Sequence, residues 1–281
     1  MTILVTGGLG YIGSHTVVEL LNNDFEVVII DDLSNTERFI LKNIEEITGK
    51  KPIFYPFDLK RKELLKQVFD AHKIEGCIHF AAYKAVGESQ VKPIDYYENN
   101  LFSLINLLQE MKERNISNFI FSSSCTVYGQ ADTMPIDENT PLKLPESSYG
   151  KTKQMGEEIL KDFATAHQKK VTLLRYFNPI GAHPSAKLGE LPIGIPNNLV
   201  PYVMQTAAGV REKLSVWGND YPTEDGTAIR DYIYVVDLAK AHVKALQKLI
   251  SENSETLVDI YNLGTGKGSS VLEVVHAFEK A

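Results

Sequence analysis

Two side chains four residues apart carry the most chemistry in this sequence. Tyr149 and Lys153 stand at the start of a stretch with helical periodicity. Four residues make about one helical turn, so the two share a face. A free phenol titrates near ~10 and is a poor base at neutral pH. A neighbouring ammonium favours the phenolate, and a cationic ring beside it would do the same. The pair therefore has the residue types needed to take a proton from an alcohol. Upstream, a strand candidate ends in Phe121-Ser122-Ser123-Ser124. A hydroxyl there, that of Ser124 in particular, could hold the reacting alcohol, because open α/β sheets bind ligands at the carboxyl ends of their strands. Taken alone, a surface Tyr–Lys pair and a polar strand end explain these residues as simply. Their weight comes from the surroundings.

The N-terminus reads Val5-Thr6-Gly7-Gly8-Leu9-Gly10-Tyr11-Ile12-Gly13. Glycines at 7, 10 and 13 fall between a strand candidate and a helix candidate. Gly7 permits the tight turn, Gly10 leaves room for a pyrophosphate, and Gly13 lets the helix pack on the sheet. The helix N-terminus adds backbone donors and partial positive charge. Asp31 and Asp32 end the second strand candidate, where a carboxylate can accept both ribose hydroxyls of an adenosine and repel a 2′-phosphate. That favours NAD over NADP. The bland alternative is that both aspartates cap the following loop. Asp58, after the third strand candidate, could meet the adenine.

These groups need a scaffold, and the hydrophobic pattern supplies one. Strand candidates Thr2–Thr6, Glu26–Ile30, Ile53–Phe57, Gly76–Phe80, Asn118–Phe121 and Val171–Tyr176 alternate with helical spacing over Tyr11–Asn23, Phe39–Thr48, Lys62–His72, Ile94–Arg114 and Tyr149–His167. Strands that are apolar throughout, separated by helices, mean a parallel sheet covered on both faces. The fold class is α/β, a doubly wound parallel sheet of Rossmann type with a smaller mixed α/β region. The division expected is a dinucleotide-binding domain over 1–176 and a substrate region over 177–281, with part of 215–265 returning to the main sheet. Residues 178–197 contain Gly181, Pro184, Gly189, Pro192, Gly194 and Pro196 and read as loop, which at that length is usually functional. Beyond it are expected a helix over Leu199–Ala208, strands near Leu214–Trp217 and Ile229–Ile233, a helix over Val236–Ile250, a strand over Ile260–Leu263 and a last helix over Val271–Ala281.

Composition narrows the function classes. The chain has 281 residues and a formal net charge of −7. Such an acidic chain repels phosphate backbones, so nucleic acid is not an expected partner, although local cations and helix N-termini can still hold a phosphorylated small ligand. No apolar run approaches the roughly 20 residues of a membrane helix. No basic, apolar leader opens the chain. Cys77 and Cys125 lack a CxxC spacing and read as reduced thiols. A cytoplasmic protein without a metal is expected.

At this point the residues resemble the extended short-chain dehydrogenase/reductase superfamily: TGGxGxxG, a serine-rich strand end, then Tyr-x-x-x-Lys. Within it the chain closely resembles the UDP-glucose (UDP-galactose) 4-epimerase family over nearly its whole length. The stretches that carry this include TGGLGYIGSHT at 6–16, KAVGES at 84–89, FSSSCTVYG at 121–129, SYGKTK at 148–153, LRYFNPIGAHPS at 174–185, GIPNNLVPY at 194–202, GNDYPTEDGTAIRDYI at 218–233 and NLGTGKG at 262–268. The resemblance implies that Tyr149 takes the proton of a sugar 4-hydroxyl while C4 gives hydride to a permanently bound NAD. Ser124 holds that hydroxyl, and Lys153 binds the nicotinamide ribose and tunes Tyr149. The 4-keto sugar turns, and hydride returns to its other face. By the same resemblance Gly7, Gly10, Tyr11, Ile12, Gly13, Asp31, Asp32, Asn35, Asp58, Leu59, Phe80, Ala81, Ala82, Lys84, Asn99, Ser122 and Phe177 line the cofactor, together with Tyr149 and Lys153. Asn178, Asn198, Leu199, Ser215, Trp217 and Arg230 line the UDP-sugar with Lys84, Ser124 and Tyr149. Arg230 also fits a diphosphate on its own chemistry, as a bidentate guanidinium.

The sequence departs from the family pattern in places. Asp32 stands for the usual Asn, Tyr83 for a smaller aliphatic residue, Cys125 for Ala and Trp217 for Phe. The family continues for several dozen residues past the helix expected at 271–281. That segment brings further contacts to the nucleotide, so weaker UDP-sugar binding with NAD binding retained is expected of this chain. Related 4,6-dehydratases would need an acid and a base after Ser124, where Cys125 and Thr126 stand. A non-catalytic NAD-binding module could dispense with Tyr149, Lys153 or Ser124, yet all three are present. Apolar residues beyond one stripe on the two long helices (Leu104, Leu107, Leu108, Met111; Met155, Ile159, Leu160, Phe163) read most simply as core. In the resembling family such helices pair with their symmetry mates, which implies a homodimer.

Overall fold

Short β-branched runs and longer amphipathic runs alternate in the chain, and they fold accordingly. The computed structural model describes residues 1–251 and 256–281. In order, the elements are β1 (Thr2–Thr6), α1 (Tyr11–Asn22), β2 (Glu26–Ile30), α2 (Phe39–Thr48), β3 (Ile53–Tyr55), α3 (Lys62–Ala71), β4 (Ile74–His79), α4 (Val86–Val91), α5 (Pro93–Glu113), β5 (Asn118–Ser122), α6 (Ser148–His167) and β6 (Lys170–Tyr176). The second part adds β7 (Asn178–Ile180), α7 (Leu199–Ala207), β8 (Ile229–Tyr234), α8 (Val235–Ser251), β9 (Val258–Leu263), β10 (Gly268–Ser270) and α9 (Val271–Lys280).

Seven strands form one parallel sheet in the order β3-β2-β1-β4-β5-β6-β9. Successive side chains point to opposite faces, and both faces are apolar. Leu4, Val28, Ile30, Cys77, Phe119 and Leu173 face a core shared with α3, α5 and α6. Ile3, Val5, Ile29, Ile78, Ile120 and Leu174 face a second core shared with α1, α2 and α8. The doubly wound Rossmann-type sheet read from the sequence is therefore the observed fold. The strand order reverses between β1 and β4, which opens a crevice at their carboxyl ends. A small sheet, β10-β8-β7, lies apart from the main one.

Several local readings need correction. No strand forms near Leu214–Trp217; the backbone is irregular from 213 to 217 and largely exposed, since no neighbouring strand offers a ladder. The segment 178–197 is largely loop, as read, but it opens with the short β7, which pairs in parallel with β8. The sequence reading also missed α4, β10 and a 3-10 turn over Cys125–Tyr128, each too short to show a period. Of the eight apolar residues singled out on the two long helices, Leu104, Leu107, Leu108, Met111, Leu160 and Phe163 are core, Ile159 packs against it, and Met155 is exposed.

Candidate functional site

The first crossover builds a cradle from backbone. Gly7 has φ +68, and a Cβ there would lie 2.7 Å from Ala81 N. Phe80 N and Ala81 N both donate to Thr6 O, at 3.0 and 3.2 Å, so the ends of β1 and β4 are tied together at the crevice. A Cβ on Gly13 would sit 2.1 Å from the Gly7 carbonyl oxygen. Only glycine fits there, and its absence of side chain brings α1 against the loop. The α1 N-terminus has no side-chain cap, so its first amides remain available. Bare backbone and open donors make this cradle fit a pyrophosphate.

Asp31 is buried beneath that loop. Its carboxylate accepts from Leu9 N at 3.0 Å and from Leu33 N at 3.0 Å. Burial pushes its pKa up against those bonds. Asp32 behaves differently. It is exposed and accepts from Ser34 N at 2.9 Å and Ser34 Oγ at 2.6 Å, organising the turn. Of the acidic pair, Asp31 meets the glycine loop and Asp32 caps the loop that follows. Asn35 is exposed on the same turn. Thr36, which the sequence did not flag, donates to Leu9 O at 2.7 Å and ties this turn back to the cradle. Asp58 accepts from Lys60 N at 2.8 Å after β3, with Leu59 buried beside it.

Across the crevice, the end of β5 and the start of α6 bring Ser122, Ser124, Tyr149 and Lys153 together. Ser147 caps α6 through Gly150 N, which sets the helix start just before Tyr149. Tyr149 is 8% exposed. Burial, with Tyr176 and Cys125 nearby, pushes its phenol well above the ordinary value, and the hydrogen-bonding Ser124 side chain pulls the other way. Lys153 is buried, and burial lowers it to about 7, opposed by Glu157. Its Nζ donates to Ser122 O at 2.6 Å and lies 5.9 Å from the Tyr149 ring centroid. The sequence reading gave the phenolate two sources of positive charge, the Lys153 ammonium and a cationic ring beside it. Desolvation wins over the ammonium here, and a further positive charge is needed to favour the phenolate.

Beneath these groups lies a buried network that sequence reasoning missed. Ser123 Oγ donates to Glu157 Oε1 at 2.5 Å. Arg175 Nε and Nη2 pair with the two Glu157 oxygens at 2.9 and 2.5 Å, and Nη1 reaches Tyr128 OH at 2.9 Å. Tyr128 OH in turn donates to Asn262 Oδ1 at 2.7 Å. The network joins β5, α6, β6 and β9 around the serine run. Its signals were present: Glu157 is four residues beyond Lys153, and Arg175 is a lone charge in an apolar strand, which demands a buried partner. Also missed were Tyr176, whose OH is 2.5 Å from Ser122 Oγ, and His79, whose Nδ1 is 2.7 Å from Thr6 Oγ1. Burial holds His79 down at about 3, so it is neutral.

The remaining candidates are less gathered. Phe80, Ala81 and Ala82 line the end of β4, partly buried, and the Phe80 ring is 4.8 Å from that of His242. Asn99 is buried on α5 and donates to Asn100 Oδ1 at 3.1 Å. Phe177 follows β6, its N–H on Leu263 O at 3.1 Å, and Asn178 opens β7 beside it. Tyr11 OH donates to Gly181 O at 2.6 Å, with the half-buried Ile12 next in α1. Lys84 and Asn198 meet through Glu190, and Leu199 begins α7. Arg230 is exposed on β8, close enough to Cys125 for its charge to act on that thiol. Ser215 and Trp217 are exposed on irregular backbone, and the 85% exposed indole packs against little of the protein. Among the described residues no cluster of His, Cys, Asp and Glu could hold a metal ion, and both cysteines are free thiols. No helix among them is long and apolar enough to cross a membrane.

Comparison with known proteins bears on this geometry. The pattern of the NAD dependent epimerase/dehydratase family matches residues 3–264. The UDP-glucose 4-epimerase of Bacillus subtilis (strain 168) is 56% identical over 281 residues, covering 100% of this chain and 82% of that protein. The crystal structure of the Bifidobacterium longum UDP-glucose 4-epimerase, in complex with NAD+ and UDP, superposes with a TM-score of 0.95 at 49% identity, over 100% of this chain and 83% of that one. A UDP-glucose 4-epimerase from Stenotrophomonas maltophila, with bound NAD and formylated UDP-arabinopyranose, gives a TM-score of 0.95 at 46% identity, over 100% and 82%.

Proposed function

The chain belongs to the NAD dependent epimerase/dehydratase family, and from that premise we propose how its residues work. It is an NAD-dependent enzyme that inverts C4 of a UDP-hexose, interconverting UDP-glucose and UDP-galactose through a transient 4-keto sugar. NAD supplies the hydride acceptor, taking hydride from C4 and giving it back to the opposite face. One observation carries the assignment of residues: the Tyr149 phenol, with Ser124 in hydrogen-bonding range, stands at the carboxyl end of β5, across the switch-point crevice from the Gly7 cradle.

Tyr149 is the base toward the 4-hydroxyl and the acid that returns the proton. Ser124 orients that hydroxyl. Burial keeps the phenol neutral until positive charge stands beside it, which confines base strength to the loaded site. Lys153, held by Ser122 O, serves the cofactor ribose and that charge balance. Gly7, Gly10 and Gly13 with the first amides of α1 hold the pyrophosphate, and Asp31 accepts from the adenosine ribose. Arg230 pairs with the UDP diphosphate, and Asn178, Asn198 and Leu199 flank the nucleotide-sugar. Trp217 and Ser215 reach the uridine by movement of their exposed segment. Residues 1–176 thus hold the cofactor and 177–281 the substrate, with β9 supplied to the main sheet from the second part.

Two further readings accompany this one. The exposed Phe102 and Met155, with a groove along Leu101, Met155 and Ile159, support a homodimer through α5 and α6; light scattering on the eluted peak tests it. The two free thiols, Cys77 buried in the core, support a reducing, cytoplasmic setting. The reaction itself is tested by incubating the protein with UDP-galactose and resolving the product by chromatography and mass. Epimerisation gives an isobaric UDP-glucose peak. Loss of the mass of water, or no turnover by NAD-loaded protein, refutes the assignment.

A further inference from the structure

The carboxylate of Glu190 stands where three parts of the site meet. It lies in the irregular stretch between β7 and α7, with its side chain 13% exposed. Oε1 accepts from Asn198 Nδ2 at 2.7 Å and pairs with Lys84 Nζ at 3.3 Å. Its charge also reaches the Tyr11 phenol, which it helps to keep protonated. Lys84 follows β4, on the cofactor side of the crevice. Asn198 begins α7, on the substrate side. Tyr11 opens α1 at the glycine cradle, and its hydroxyl holds Gly181 O at 2.6 Å.

A carboxylate in such a place needs an explanation, because the site is built for two diphosphates and like charges repel. Glu190 cannot serve as a phosphate ligand. Its two partners show what it does instead. A long, flexible lysine side chain carries large rotamer entropy, which a free, half-exposed Lys84 would lose on meeting a ligand. An ion pair already formed in the protein removes most of that loss. The same oxygen fixes the amide at the start of α7. The segment between β7 and α7 is held at its near end by Tyr11 on Gly181 and by Tyr234 OH on Ala182 O at 2.8 Å. Asn43 Nδ2 on Lys187 O at 2.7 Å and the Lys187–Glu46 ion pair hold its middle. Glu190 closes the far end.

We propose that Glu190 is a positioning residue for the epimerase reaction: it fixes Lys84 over the crevice, joins it to Asn198, and so keeps the segment 181–198 closed on the cofactor with the start of α7 in place for the nucleotide-sugar. The proposal rests on the NAD and UDP-sugar assignment made above. Glu190 touches neither reacting atom, so its effect belongs to binding and retention, not to the proton and hydride steps.

The experiment is a mutant cycle on the NAD-loaded protein with three readouts: UDP affinity by calorimetry, release of NAD after dilution, and kcat and KM for UDP-galactose. Glu190→Ala is expected to weaken UDP and raise KM about fivefold, the worth of one partly exposed ion pair and its hydrogen bond, with kcat within about twofold. NAD release is expected to quicken by a similar factor. Glu190→Gln, which keeps an acceptor for Asn198 and drops the charge on Lys84, falls between Glu190→Ala and the unaltered protein. In a Lys84→Met background the Glu190→Ala change is expected to cost less than about twofold. The proposal is overturned if Glu190→Ala leaves UDP affinity and NAD release unchanged, or if its effect is as large without Lys84, since Glu190 would then only shape its loop. An unaltered protein that carries no NAD and binds no UDP would sink the assignment of the site itself, and this proposal with it.

Discussion

Replacing Glu157 by glutamine should destabilise this protein more than any other single change of charge near the site. The pair it forms with Arg175 is enclosed, at 0% and 2% side-chain exposure. The amide of a Glu157→Gln variant would keep the shape and could still accept one hydrogen bond from Arg175, but the guanidinium would lose its only carboxylate within the described network. Breaking a buried pair from one side costs about 3–5 kcal/mol, because the surviving charge stays desolvated. An unfolding entropy of about 2.1 cal/mol/K per residue gives roughly 0.6 kcal/mol/K for a chain of this length. The expected fall in Tm is therefore about 5–8 °C. Thermal melts should be run with the same excess of NAD for each variant, since a ligand that binds only the folded state raises Tm by mass action. A double variant, Glu157→Leu with Arg175→Met, should recover much of the loss, because apolar residues of similar volume carry no desolvation penalty. A single variant melting within about 2 °C of the unaltered protein would refute this account of the network, as would a double variant worse than the single.

The other expectations are simpler. Gly13→Ala places a methyl 2.1 Å from the Gly7 carbonyl oxygen, so the cradle must open; the purified variant should carry little or no NAD, and a full complement released on denaturation would contradict the fit. Tyr149→Phe removes the acid/base group and should lower kcat by about 10²–10⁴-fold with NAD content unchanged, a general acid–base loss; activity within a few-fold of normal would end the assigned role. Stability should fall with acid before the ordinary carboxylates titrate. Burial depresses His79 to about 3 and His242 to about 4, below the value of roughly 6.5 in the unfolded chain. The unfolded state takes up these protons first, so the contribution is complete above about pH 6.5 and is lost as pH falls toward the folded values, by up to about 1.4 kcal/mol per pH unit for each group. Urea midpoints at pH 7, 6 and 5 measure this, and an unchanged midpoint across that range would rule it out.

What the sequence by itself determined is whatever depends on short range and on period. Strand and helix alternate because apolar runs of one period follow runs of another, and glycine at 13 is demanded by the backbone of Gly7 and Gly8 a few residues away, whereas at Gly7 it is the distant Ala81 that leaves no room. The Tyr149–Lys153 spacing is a property of one helix, so it too could be read directly. What only the tertiary structure decided are the pairings across distance and the energies that burial sets. Asp31 and Asp32 are equal on the page, yet one meets the cradle and the other caps a turn, because β2 ends with only one of them facing the glycine loop. Tyr149 and Lys153 read from their spacing as a phenol beside an ammonium that favours its ionised form; the fold buries both, pushing the phenol up and the ammonium down, a balance no spacing reveals. Glu157 with Arg175, and Glu190 with Lys84, join residues 18 and 106 positions apart. Sequence shows that such charges exist; only the fold, by removing water and choosing neighbours, decides which of them must pair.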